Sequence, residues 1–159
     1  MTEQWNFAIR QFISMANKHN VKMLMVGGGA VNFHGYQRHS ADVDFWIETT
    51  AENFKKLTLV FQEMDYEIED FPEKVKKELQ NISVKFSPID INLELITNFS
   101  VNRTFQEAYD AAEEVVIDNK DLILRWRVLS LEDLIDSKLK AGRPKDLLDI
   151  QELKRNNNS

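Results

Sequence analysis

The chain has 159 residues, 43% hydrophobic and 29% charged, a balance that suits one soluble globular domain able to bury a core without covalent staples. It contains no cysteine, which excludes disulfides and thiolate metal sites. Its net charge of -6 argues against broad nonspecific binding to nucleic acid, and no apolar run approaches the roughly 20 residues needed to span a membrane.

The first residues, MTEQWNFAIRQF, carry acid early and lack a continuous apolar stretch, so no signal peptide is expected and a cytoplasmic protein is. EQWNFAIRQFISMANKH places Trp5, Ile9, Phe12, Ile13 and Ala16 at helical spacing, the pattern of an amphipathic helix. VKMLMV is a short apolar strand that ends at three glycines, and a short helix, AVNFHGY, is expected straight after them. ADVDFWIE reads as a second strand and AENFKKLTLVFQEM as a helix. YEIED has the composition of a further strand, PEKVKKELQ that of a polar helical turn. ISVKFSPIDINLELIT reads as two strands broken near Pro88, which has no N–H to give a ladder.

TFQEAYDAAEE is expected to be helical, and VVIDNKDLILRWRVL to form a hairpin or two short edge strands. SLEDLIDSKLKAG begins with Ser130 and Asp133 in a capping arrangement and stops at Gly142; Pro144 then suits the first turn of a last helix, PKDLLDIQELKR. Residues 1–155 are expected to form one domain and 156–159 a frayed tail. Helices mixed with strands of both local and crossover connection predict an α+β (α/β mixed) fold, one mixed sheet covered by helices.

Two features of MVGGGAVNFHGYQRHSADVDFWI carry chemistry. On a strand, residues i and i+2 share a face, so Asp42 and Asp44 project together while Val43 and Phe45 face the other way. Carboxylates that close repel one another unless a cation stands between them, and Mg²⁺ suits such a pair because it takes oxygen ligands and keeps waters and substrate phosphates. The glycine run, Gly27 and Gly28 foremost, allows backbone N–H groups to approach a phosphate at the start of a helix. Together the two features imply a metal–nucleotide complex. Neither a Walker-type loop nor a dinucleotide fingerprint is present.

With these residues in place, the chain resembles the DNA polymerase beta-like nucleotidyltransferase superfamily. The resemblance rests on Gly27-Gly28, thirteen intervening residues, and Asp42-Val43-Asp44. More narrowly it resembles a bacterial branch that includes abortive-infection toxins and relatives of antibiotic nucleotidyltransferases. That branch favours an Arg-x-Thr-x-Asp-x-Asp run, filled here by Arg38, Ser40, Asp42 and Asp44, with Ser in place of Thr. The C-terminal LSLEDLIDSKLKAGRPKDLLDIQEL is also similar, with a lysine on one helix and an Arg-x-x-Asp segment opening the next.

The resemblance implies a nucleotidyltransferase fold over the single domain and a third acid completing a metal triad with Asp42 and Asp44. By the spacing of the family it resembles, that place falls to Glu94, a methylene longer than the usual Asp, with Asp90 as the fallback. It further implies that Lys138 reaches the nucleotide phosphates or the metal, and that Asp146 orients groups at the active centre. Arg143 has a second reading, a pairing with Asp146 or Asp149 across the helix corner. His34 reads as a packing residue, whereas His39 stays undecided.

The implied activity is Mg²⁺-dependent transfer of a nucleoside monophosphate from a nucleoside triphosphate to an acceptor hydroxyl. The competing reading is a catalytically silent member, an antitoxin or regulatory nucleotide-binding module; a cognate antitoxin is a further partner the branch suggests. The acceptor is an RNA end or a small molecule. The window from Lys120 to Lys145, with seven basic and four acidic residues, leans toward RNA, because it is expected to border the active site.

Overall fold

The computed structural model describes residues 7–36, 42–86, 92–119 and 122–157. Arg38, His39, Ser40 and Asp90 lie outside the described residues.

Helix α1 (Phe7–Lys18) buries Ile9, Phe12, Ile13 and Ala16, the i, i+3, i+4, i+7 stripe of the sequence. Strand β1 (Met23–Val26) is buried at all four positions, as an interior strand flanked on both faces must be. It runs straight into helix α2 (Gly27–Phe33), so the glycines form the first turn of the helix instead of preceding it. Strand β2 (Asp42–Ile47) leads to helix α3 (Ala51–Glu63), whose first turn is capped by Thr50 Oγ1 accepting the Asn53 N–H at 3.2 Å. Helix α4 (Glu73–Lys76) is a single turn before strands β3 (Ile82–Val84) and β4 (Asn92–Ile96). Helix α5 (Phe105–Ala111) opens with a Thr104–Glu107 capping box. Strands β5 (Glu113–Asn119) and β6 (Leu122–Val128) pair antiparallel, and helices α6 (Leu131–Ala141) and α7 (Pro144–Asn157) close the chain.

The six strands lie in the order β3-β4-β2-β1-β6-β5. β2 pairs antiparallel with β1 and parallel with β4, and β6 pairs parallel with β1. The registers sort the side chains into two faces. One carries Met25, Val43, Phe45, Leu93, Leu95, Trp126 and Val128, which join Phe12 and Phe61 of α1 and α3 in the main core. The other carries Val26, Asp42, Asp44, Asn92 and Glu94 at one end of the sheet, and Trp46 and Arg127 further along. Phe105 of α5 packs edge-on against Trp46 there.

Two further local expectations change. YEIED is not a strand: Asp65 turns the chain with φ +70, Tyr66 packs against Phe61, and the Ile68 carbonyl takes the Gln62 side chain in place of a ladder partner. Of the two alternatives for VVIDNKDLILRWRVL the hairpin is the one formed, β5 on β6, with β6 lying between β1 and β5. The tail expected to fray from residue 156 is helical through Asn157. Its asparagines hold it there, Asn156 Nδ2 donating to the Gly35 carbonyl at 2.9 Å and Asn157 Nδ2 to the His34 carbonyl at 2.7 Å.

Candidate active site

The site is built at the end of the sheet where β1 stops and β2 and β4 start. Period-2 alternation puts Asp42 and Asp44 on one face, half-buried, with Val43 and Phe45 buried on the other. Parallel pairing sets Asp44 beside Glu94 and Asp42 beside Asn92; antiparallel pairing sets Val26 beside Asp44 from the opposite side. Gly27 follows directly. Its φ is +63, and a Cβ at that position would overlap Asp44 Oδ2, so glycine is required both for backbone angle and for room.

The electrostatics follow from that crowding. The Asp44 carboxyl is pushed up to about 6, first by burial, then by the charges of Asp42 and Glu94, with Lys138 pulling the other way. Glu94 leans away from the pair: its Oε1 accepts the hydroxyl of Ser83, its partner across the β3–β4 ladder. Among the described residues no group of three His, Asp or Glu side chains is arranged to hold a metal ion.

Lys138 reaches this region from α6. Ser130 caps that helix by accepting the Asp133 N–H at 3.2 Å, and Gly142, in the left-handed conformation at φ +62, ends it. The helix is pinned at its start as well: Asp133 pairs with Arg103 at 3.2 Å, and Asp136 accepts the Asn102 N–H at 2.7 Å. This posture buries Lys138 and leaves Lys140 exposed. The Lys138 ammonium stands 3.0 Å from Asp149 Oδ2 and 3.5 Å from Asp146 Oδ1, both carboxylates buried on α7. Asp146 is held below the usual carboxylate range chiefly by Arg143, whose Nε donates to Oδ2 at 2.6 Å. Arg143 therefore takes the pairing alternative and not a free substrate-facing position.

Thus the fold brings Asp42, Asp44, Glu94, Gly27 and Lys138 into one electrostatic neighbourhood, with Asp146 behind the lysine. His34 is a packing residue, its Nε2–H donating to the Leu129 carbonyl at 2.7 Å in a buried position. The sequence names Asp149 only as an alternative partner of Arg143, whereas the structure places it beside Lys138. Its only signal was an acid three residues after Asp146, hence on the same side of a helix that otherwise looks solvated. The basic window does not make one rim. Arg127 pairs at the level of Leu24, two strands and two residues from Asp44, roughly 12 Å between Cα atoms from strand geometry. Its guanidinium lies over the Tyr109 ring at 4.2 Å and donates to the Tyr109 carbonyl at 2.9 Å.

With the geometry in place, comparison with known proteins decides the family. Residues 7–157 match the family described as nucleotidyltransferase of unknown function (DUF6036). The chain belongs to that family. No curated protein sequence matches it. Two solved structures are similar to this nucleotidyltransferase-family chain in fold. One is the crystal structure of ANT(2")-Ia in complex with adenylyl-2"-tobramycin, with 14% identity, 93% of this chain and 86% of that one covered, and a TM-score of 0.52. The other is an antigenic nucleotidyltransferase-like protein from Paracoccidioides brasiliensis, with 16% identity, 93% and 74% covered, and a TM-score of 0.52. At these identities the likeness is one of fold: the mixed six-stranded sheet of this family member is a nucleotidyltransferase fold.

Proposed function

We propose that the protein transfers a nucleoside monophosphate from a nucleoside triphosphate to an acceptor hydroxyl, with Mg²⁺ as cofactor. The observation that carries this is the crowding at Asp44, where burial, Asp42 and Glu94 leave negative charge in need of a cation. The donor set fits Mg²⁺, which is usually held by one or two carboxylates and completed by water and substrate phosphates. Asp42 and Asp44 would hold it, with Glu94 as third ligand once its carboxylate leaves Ser83. When bound, the metal supplies charge neutralisation at the phosphates.

The chain's own residues do the rest. Gly27 and Gly28 offer backbone N–H groups to the triphosphate, and Arg38 and Ser40, just before Asp42 in sequence, add side-chain donors. The acceptor oxygen forms its bond to the α-phosphorus as the bond to the β-phosphate oxygen breaks, and the hydroxyl proton passes to a carboxylate oxygen of the Asp pair. The Lys138 ammonium balances the charge of the departing pyrophosphate, held in place from behind by α7.

Incubation with each α-labelled nucleoside triphosphate, Mg²⁺ and a total cell extract tests this. Label is expected on an acceptor, and its destination separates an RNA end from a small molecule. Nucleotide binding with no label transferred would support the silent-member reading instead.

A further inference from the structure

At the α6–α7 corner the cations Lys138 and Arg143 face the carboxylates Asp146 and Asp149, and the distances rank their contacts. Both oxygens of Asp146 are taken by Arg143: Oδ2 accepts from Nε at 2.6 Å and from the backbone N–H at 3.2 Å, and Oδ1 from Nη2 at 3.2 Å. That bidentate fork is the stronger geometry, and it leaves Lys138 only a long 3.5 Å approach to Oδ1. Asp149 stands nearer the ammonium, at 3.0 Å. The side chains of Lys138 and Asp149 are 10% and 4% exposed, so neither charge has water as its main partner. The Arg143 side chain, by contrast, is 59% exposed and stays at the rim of the corner.

We infer that Asp149 is the positioning residue for Lys138: it fixes the ammonium at the Asp42–Asp44 end of the sheet, while Asp146, committed chiefly to Arg143, keeps only the longer 3.5 Å contact to the lysine. This rests on the reading of Lys138 as the phosphate-facing cation. It reassigns the role that the sequence gives to Asp146 and adds a residue to the site.

The test compares Asp149→Asn, Asp149→Glu and Asp146→Asn in the full chain by ¹⁵N NMR of lysine ammonium groups, with nucleotide kinetics alongside. A buried, ion-paired ammonium gives a protected signal, assigned here by its loss in Lys138→Met. That signal is expected to vanish in Asp149→Asn, to return at least in part in Asp149→Glu, and to persist in Asp146→Asn. In transfer assays Asp149→Asn is expected to raise the nucleotide KM about tenfold or more, with Asp149→Glu intermediate. Persistence of the signal in Asp149→Asn, or equal loss in Asp146→Asn, overturns the inference. Should Asp149→Asn fail to fold, loss of the signal in Asp146→Asn while Asp149→Glu keeps it overturns the inference equally. The ammonium signal needs no turnover, so a wild-type protein that transfers nothing would sink the proposed activity while the NMR comparison still decides Asp149.

Discussion

Asp44 stands where burial and two neighbouring carboxylates act in the same direction. Its folded-state pKa, about 6, exceeds the 3.8 of an ordinary aspartate, so the folded state binds the proton more tightly than the unfolded chain does. The metal-free fold is therefore penalised above pH 6, by roughly 2–3 kcal/mol at full ionisation, and the penalty fades as pH falls toward about 4. Asp44→Asn should melt higher than wild type at pH 7.5 in metal-free buffer, lose that advantage near pH 4, and transfer no nucleotide. Equal melting at pH 7.5, or retained transfer, would count against the site. Gly27→Ala should lose stability and displace Asp44, through its left-handed φ and the overlap with the carboxylate. Gly29→Ala meets the buried Met25 side chain, whose sulfur must shift, but carries no positive φ, so it should cost less stability than Gly27→Ala, as thermal melts of the two variants will report. The Asp pair and Gly27 were legible in sequence because strand alternation and a glycine run leave local marks. The place of Asp149 beside Lys138 was not, because its meaning depends on what α6 presents to it.

At the scale of elements, the α6–α7 corner was the most legible part of the fold. Ser130, Gly142 and Pro144 act through backbone geometry within a few residues, and each stands where its chemistry places it. Residues 138 and 140 lie about 200° apart on such a helix, and the burial of one and exposure of the other follow from that angle. Lys138→Ala should raise the nucleotide KM or depress kcat at least tenfold, whereas Lys140→Ala should stay within twofold; equal effects in steady-state kinetics would contradict the placement. Strand identity was less legible. YEIED has strand composition, yet its carbonyl partner is a side chain, and β6 became interior only through a parallel pairing with β1 some hundred residues away. Such long-range pairing leaves no local signature.

Across the whole molecule, the sequence pattern of charge misled where the fold separates neighbours. Arg125 and Arg127 share a basic window with Lys138, but β6 carries them away from the Asp pair, and Arg127 is occupied by Tyr109. Replacing both by Gln should therefore leave the salt dependence of transfer nearly unchanged, even on an RNA acceptor; a markedly flattened dependence between 50 and 200 mM salt would place the acceptor on that face instead. The overall architecture was legible because alternating helical and strand periods name the layers, and the glycine and aspartate motifs name the end of the sheet where they meet. The central claim is that the carboxylates at the start of β2 seat a metal–nucleotide complex. Calorimetric titration of ATP into the protein with and without Mg²⁺, for wild type and Asp44→Asn, tests it most directly. Binding to wild type that requires Mg²⁺, and that is lost in Asp44→Asn, is the expected result; binding indifferent to the metal or to the substitution would contradict it.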